Sequence, residues 1–223
     1  MAMTARLTRL LTPALTLLGA LWASPASADP ISFFVTIDTS SIAGVNGSLE
    51  FQASTFAQSP PGSASIVSFA AGGGTLVGGP TAAPTGDPTV PTFGSVTGAL
   101  PGKMTIAETP PFSADVFQDF NFGNGQMSFR VDLPVDDTTF ALFLWDSPTS
   151  TVLGGGGNPL LGNANVNGAS FAVELNSSTG AVTTGDAAVS AVIVPEPASL
   201  AVFAVAVAGL AVGCWYRGRR PAG

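Results

Sequence analysis

The chain of 223 residues contains no histidine and only one cysteine, Cys214. Together these absences exclude Ser-His-Asp and Cys-His nucleophilic sites, zinc held by His or Cys, haem and iron–sulfur centres. Because one cysteine cannot form a disulfide within the chain, an exported domain must be held together by its core. Carboxylate chemistry, hard metal ions with oxygen ligands and binding without catalysis remain open.

Positive charge is also scarce. Only seven residues are Lys or Arg, and of these only Lys103 and Arg130 lie in residues 29–194. The same segment holds 13 acidic residues against these two bases, a net charge of −11. Such a segment repels nucleic acid and anionic lipid head groups, so we expect no nucleic-acid partner. Its acidic surface could attract divalent cations or cationic polymers, or serve only to keep the domain soluble.

Near the C-terminus the chain holds a long run without charge. Residues 198–216 comprise 19 uncharged residues. At about 1.5 Å per residue, a helix of that length spans roughly 28 Å, close to the roughly 30 Å hydrocarbon core of a bilayer. A Pro-Glu-Pro stretch precedes the run, and a basic tail over residues 217–223 follows it, with Arg217, Arg219 and Arg220. The pattern predicts one transmembrane helix whose basic end stays in the cytoplasm.

The order of these parts resembles the C-terminal sorting signal of PEP-CTERM proteins, which are exported by Gram-negative bacteria. Residues 194–200, Val-Pro-Glu-Pro-Ala-Ser-Leu, carry the match together with the basic cluster. The resemblance implies that residues 195–223 are a sorting signal whose motif is Pro195, Glu196 and Pro197. It further implies that the enzyme exosortase removes the tail, and that the protein reaches the cell surface or the extracellular matrix.

The N-terminus predicts export independently. Arg6 and Arg9 precede an apolar core, and Ala26 and Ala28 form an A-x-A cleavage site. This is the pattern of a secretory signal peptide over residues 1–28, so the Sec machinery and signal peptidase are expected partners. The alternative to a sorting signal at residues 195–223 is an ordinary C-terminal membrane anchor preceded by a proline-rich segment. Either interpretation puts the body of the chain outside the inner membrane, with both sets of arginines in the cytoplasm.

The body, residues 29–194, is predicted to be β-structure throughout. Short stretches alternate apolar and polar side chains, Gly- and Pro-rich turns separate them, and no helical period is present. We expect roughly nine strands, at residues 31–37, 48–52, 63–70, 103–107, 116–122, 126–133, 140–145, 170–176 and 187–194. The pattern predicts an all-β fold, an antiparallel sandwich of jelly-roll kind.

Three local expectations refine this prediction. The Gly-Asn-Gly stretch at residues 123–125, with alternating strands on either side, predicts a tight β-hairpin. Residues 71–91 are rich in Gly and Pro and predict a long mobile loop, broken by at most a short edge strand near Leu76. Residues 140–145 are apolar on both faces, which is typical of a central strand.

The body is also similar to a recurring group of PEP-CTERM ectodomains that open with Thr-Ile-Asp-Thr-Ser-x-x-Ala-Gly, matched here at residues 36–44. Further matches lie at residues 49–52, 120–123 and 171–176, and the similarity covers most of residues 31–185. The resemblance implies a fold and a destination, but no biochemical activity.

One group of acidic residues is a candidate metal site. Asp132, Asp136 and Asp137, together with Asp146, could offer oxygen ligands to Ca²⁺. They do not fit the D-x-[DN]-x-[DN]-G calcium loop, and acidic residues in turns are commonly just solvated. We therefore expect no metal or other cofactor, with calcium at these aspartates as the alternative.

Other residues could bind or cleave a carbohydrate. Asp115 with Asp119 or Glu108 could form the carboxylate pair of a glycosidase. Trp145 and Phe34 could stack on sugars as exposed aromatic residues. Surface carboxylates are far commoner than catalytic pairs, however, and aromatic residues of this kind more often fill the core.

Three functions are open on these grounds. The leading hypothesis is a non-catalytic structural or adhesive protein of the cell surface or extracellular matrix, anchored first in the inner membrane. The alternative is a carbohydrate-binding module that engages exopolysaccharide, with or without the help of calcium. The third is a carboxylate-based glycan hydrolase, which needs two acids that face each other across a groove.

Overall fold

The computed structural model describes residues 30–55, 61–87, 90–109, 113–134, 137–162 and 171–195. The predicted signal peptide, with Ala26 and Ala28, lies outside these residues, and so does the predicted sorting segment from Glu196 onward. Within the described part, no helix is long and apolar enough to cross a membrane. The span predicted at residues 198–216 belongs to the part that is not described.

Fourteen strands make up nearly all the regular structure of the described residues. They are β1 (Ile31–Asp38), β2 (Asn46–Thr55), β3 (Ser63–Ala70), β4 (Thr75–Ala82), β5 (Pro84–Asp87), β6 (Val90–Thr92), β7 (Ser95–Gly98), β8 (Met104–Ala107), β9 (Ala114–Asn121), β10 (Gln126–Leu133), β11 (Thr138–Trp145), β12 (Val173–Asn176), β13 (Val182–Thr184) and β14 (Val189–Val194). A short 3-10 turn (Ser40–Ile42) follows β1, and one helical turn, α1 (Thr149–Val152), follows β11.

Twelve of these strands form two antiparallel sheets of six. Sheet A has the order β14-β1-β10-β3-β8-β7, and sheet B has the order β13-β12-β11-β2-β9-β4. Strands β5 and β6 pair separately with each other. The prediction of an all-β fold with antiparallel sheets is confirmed.

The long-range pairings are nested. Strand β1 pairs with β10, β2 pairs with β9, and β3 pairs with β8. The first four strands alternate between the sheets, β1 and β3 in sheet A and β2 and β4 in sheet B. Successive strands are therefore connected across the core, and their hydrogen-bonded partners lie far away in the sequence.

The core lies between the two sheets. It forms because alternate side chains of each strand point inward and are apolar. On β1 the fully buried side chains are Phe33, Val35 and Ile37, as the alternation predicts. Phe51 of sheet B meets Phe129 of sheet A edge-to-face, with ring centroids 6.3 Å apart. Such pairs add to the free energy gained from burying the rings, so this contact ties one sheet to the other.

The predicted hairpin at residues 123–125 is wrong. Strand β9 ends in sheet B and β10 begins in sheet A, so the stretch crosses between sheets. A two-residue hairpin turn of type I′ needs positive φ at both central residues, and neither Asn124 nor Gly125 has it. Glycine is needed here for a different reason, which is that the backbone at Gly73 packs closely against this stretch. A Cβ on Gly123 would lie 2.2 Å from the carbonyl carbon of Gly73.

The predicted long loop over residues 71–91 is also wrong. Strand β4 occupies eight of these residues at the edge of sheet B, and β5 and β6 pair beyond it. The pairing of β4 with β9 shifts register between Val77 and Thr81, around Gly78 with φ of 66°. Bulges favour glycine because it adopts a positive φ without steric cost, as Gly78 does here. The edge strand expected near Leu76 is confirmed, but it is longer than expected, with eight residues.

The other strand predictions agree with the structure. Strand β11 lies between β12 and β2, so the central position predicted for residues 140–145 is confirmed. Its inward side chains Phe140, Leu142 and Leu144 are fully buried. Strands β7 and β13 were not predicted, since three or four residues carry too little alternation to detect.

Candidate functional site

The outer face of sheet B, which points away from the core, carries a group of neighbouring polar and aromatic side chains. Because side chains alternate along β2, Phe51 points into the core while Glu50 and Gln52 point outward. The register places Glu50 between Phe143 of β11 and Phe117 of β9. We refer to six of these side chains as the outer cluster: Glu50, Gln52, Asp115, Phe117, Phe143 and Trp145.

Trp145 supplies an aromatic surface to the outer cluster. It lies two residues after Phe143 on β11, so both rings project from the same face. The ring centroids are 6.4 Å apart and the ring planes differ by 18°, a stacked arrangement. The indole Nε1 donates a hydrogen bond of 2.7 Å to Oε2 of Glu50. The indole therefore joins the stacked rings to the carboxyl group on the adjacent strand.

A second polar pair adjoins this one. Gln52 Nε2 donates a hydrogen bond of 2.8 Å to Oδ1 of Asp115, its partner across the β2–β9 ladder. Glu50 and Asp115 are diagonal neighbours on the same face, a relation that places such residues about 7–8 Å apart. Two carboxyl groups thus share one patch of the sheet with a primary amide.

The carboxyl groups of the outer cluster hold their protons more tightly than usual. Burial raises the pKa of Glu50 to about 7, the hydrogen bond from Trp145 opposes the rise, and the charge of Asp115 adds to it. Burial also raises the pKa of Asp115, against the hydrogen bond from Gln52. Phe117 contributes to this dry environment, since it is only 4% exposed although it lies on the outer face.

The chain after β11 folds back beside the outer cluster. Asp119 accepts hydrogen bonds from the backbone N–H and the hydroxyl of Thr149, at 2.7 and 2.6 Å, which fixes α1 against β9. Asp146 accepts from the backbone and side-chain N–H groups of Asn158, at 2.7 and 2.9 Å. These bonds close the Gly-rich loop over residues 147–157 and give it a fixed place at one border of the face.

The structure keeps Asp115 and Asp119, one of the predicted glycosidase pairs, apart. Asp115 and Asp119 lie four residues apart on one strand, a separation of roughly 13 Å. Glu108 accepts a hydrogen bond of 2.6 Å from Thr55 and holds the connection between β2 and β3. The acidic neighbour of Asp115 is Glu50.

Asp132, one of the aspartates predicted as calcium ligands, is engaged by Ser32 and Arg130. Asp132 accepts a hydrogen bond of 2.7 Å from Ser32, and its Oδ1 lies 2.9 Å from Nε of Arg130. Asp137 has a positive φ of 45°, and Asp136 lies outside the described residues. In the described part of the chain, no group of three or more His, Cys, Asp or Glu could hold a metal ion.

The two aromatic residues predicted to stack on sugars lie on opposite faces of the sandwich. Trp145 belongs to the outer cluster on sheet B, whereas Phe34 is 40% exposed on the outer face of sheet A. Sheet A also bears a shallow depression of about 290 Å³ with a mixed, non-aromatic lining: Pro30, Ser63, Ser65, Lys103, Asp132 and Pro134. Within the part of the chain that the structure describes, the face of sheet B is the one that combines stacked rings with hydrogen-bonding groups.

Sequence reasoning missed Glu50 as a site residue. The alternation of residues 48–52 shows that Glu50 points away from the core, but not what lies beside it. Its partner Trp145 is 95 residues away in the sequence, and the two meet only through the pairing of β2 with β11. No local signal in the chain indicates that pairing.

We expect the stability of the folded protein to fall as the pH rises from about 4.5 to 7. The pKa of Glu50 is about 7 in the folded state against an ordinary value of 4.5, so the folded state binds more protons in this window. Ionising Glu50 should cost on the order of 3 kcal/mol. Above pH 7 this contribution stays lost. Urea unfolding of the full-length chain at a series of pH values measures the effect.

The matched control is Glu50→Gln, which keeps an oxygen acceptor for the Trp145 indole but cannot ionise. This variant should lose most of the pH dependence and be more stable than the parent at pH 8. A parent and a variant with parallel stability profiles between pH 4.5 and 7 would show that Glu50 ionises without penalty.

No family model, no curated protein and no solved structure matches this chain. Its function is therefore inferred from its own residues and their geometry. The observations available for that inference are the terminal segments of the sequence, the two-sheet fold and the outer cluster.

Proposed function

We propose that this chain is an exported protein, sorted by exosortase to the cell surface or extracellular matrix, whose body is a non-catalytic structural or adhesive sandwich. The observation that carries the proposal is the position of the two ends of the body. Ser32, near the start of β1, pairs with Val194, the last residue of β14. The predicted signal peptide and the predicted sorting segment therefore leave the domain side by side. Once the signal peptide is removed, the domain would remain attached to the membrane only through the segment that follows β14.

We also propose that the sandwich is of the jelly-roll kind. The nested pairing of β1 with β10, β2 with β9 and β3 with β8 supports this. In such a fold a long antiparallel ribbon wraps around the core, so its strands alternate between the two sheets. Strands β1 to β4 alternate in this manner.

The sorting proposal is tested by cell fractionation and C-terminal mass spectrometry, in the host with and without its exosortase. We expect a truncated C-terminus and surface or matrix location only when the enzyme is present, because the enzyme would cut near the Pro195–Pro197 motif. Glu196→Gln should behave like loss of the enzyme. An ordinary tail anchor would instead keep Arg217, Arg219 and Arg220 in both strains, and a cytosolic location would contradict export altogether.

A second candidate function is carbohydrate binding by the outer cluster. The observation that favours it is the stacked pair of Phe143 and Trp145 beside the carboxyl of Glu50 and the amide of Gln52. Aromatic faces cover the apolar face of a sugar ring, and carboxyl and amide groups bond to its hydroxyls. An exopolysaccharide is a ligand of this chemistry, and a surface protein would meet it.

We expect the solubilised full-length chain to bind polysaccharides on a glycan array, and Trp145→Ala to abolish that binding. Trp145→Phe keeps a ring but removes the donor to Glu50, so it should retain part of the affinity. Thr97→Ala on sheet A is the control and should bind as the parent does. The array repeated with a chelator tests for help from calcium. Unchanged binding by Trp145→Ala would place any glycan site elsewhere.

A further inference from the structure

The outer face of sheet A carries an unusual row of side chains next to the C-terminal end of the domain. The register aligns Val192 of β14, Phe34 of β1, Arg130 of β10 and Val67 of β3 across the sheet. Val192 is 60% exposed and Phe34 is 40% exposed, although both are large apolar residues. We refer to Val192, Phe34, Arg130 and Val67 as the sheet A row.

The sheet A row lies close to the point where the chain leaves the domain. Val192 is two residues before Val194, a distance of roughly 7 Å along the strand. From Val194 to the predicted span at residue 198, an extended chain covers at most roughly 14 Å. While that span is in the bilayer, Val192 therefore stays within about two nanometres of the lipid surface, and each further strand of the row adds about 5 Å to this limit.

The outer faces of the two sheets differ in their charged residues. The two bases of residues 29–194 both lie on the side of sheet A, Arg130 in the row and Lys103 at the depression. There they offset the acids Asp132 and Asp38 of the same face. The outer face of sheet B carries acids, among them Glu50, Asp115 and Glu174. Anionic head groups repel the face of sheet B and tolerate the face of sheet A.

We propose that the sheet A row rests on the lipid surface while the protein is anchored. Phe34 and Val192 enter the head-group region. Arg130 is paired with Asp132 but its side chain is 44% exposed, so its charged end can also meet lipid phosphate while its stem lies along the apolar residues. The body is strongly acidic, so it would not bind such a membrane alone; the tether supplies the necessary local concentration. In this orientation the outer cluster on sheet B faces away from the inner membrane. The inference rests on the proposed membrane-anchored stage.

The test uses the full-length chain reconstituted in vesicles of phosphatidylethanolamine and phosphatidylglycerol, with nitroxide-labelled head groups as the quencher. Cys214→Ala removes the native thiol, and a fluorescent label is placed at Val192→Cys on sheet A or at Thr183→Cys on sheet B. Both positions are near the tether, but on opposite faces. We expect severalfold stronger quenching at position 192 than at position 183.

A second change isolates the apolar contact. Phe34→Asp should reduce quenching at position 192, and Phe34→Leu should preserve it, while thermal unfolding checks that both variants fold. Equal quenching at positions 192 and 183 would overturn the inference, and so would cross-linking of Val192→Cys chains to each other, which would make the face a contact between copies. Flotation with the vesicles is scored separately, because a chain that does not float contradicts the anchored stage itself rather than the orientation.

Discussion

The structure depends most on the register of β2 between β9 and β11. With this register Phe51 points into the core, where it packs against Phe129 of the opposite sheet, and Glu50 points outward to the Trp145 indole. A slip of one residue would exchange the two faces along the whole strand. It would bury Glu50 in a core of phenylalanine rings and expose Phe51. The core and the outer cluster therefore arise from the same pairing, and neither can form without the other.

The charge composition explains why the outer cluster has unusual acids. A buried carboxyl with a basic neighbour keeps its charge and a low pKa, whereas one without such a neighbour is protonated more readily. The two bases of the body lie on the side of sheet A, where Arg130 pairs with Asp132. Among the described residues, the hydrogen-bond donors to Glu50 and Asp115 are the neutral side chains of Trp145 and Gln52, so burial is the largest influence and raises both pKa values. The same unequal distribution of charge distinguishes the two outer faces.

Much of the fold could be predicted from local patterns, because burial of one strand face leaves a period of two in the sequence. The strand at residues 31–37 was predicted this way, and the central position of β11 was predicted because its residues are apolar on both faces. The connection at residues 123–125 was not, since a Gly-Asn-Gly stretch can serve a tight turn or a close approach between backbones. The length of strand β4 was not predicted, because its glycines fit an edge with a bulge as well as they fit a loop. The site was harder to predict, since Glu50 and Trp145 meet only through tertiary pairing.

An NMR titration of the Glu50 carboxyl carbon, followed together with the Trp145 Nε1 proton, tests the register of β2 most directly. The register predicts that Glu50 titrates with a pKa of about 7 and that the indole proton shifts at the same pH, since the two groups are 2.7 Å apart. A Glu50 carboxyl that titrates near its ordinary 4.5, with an indole proton that does not respond, would contradict it.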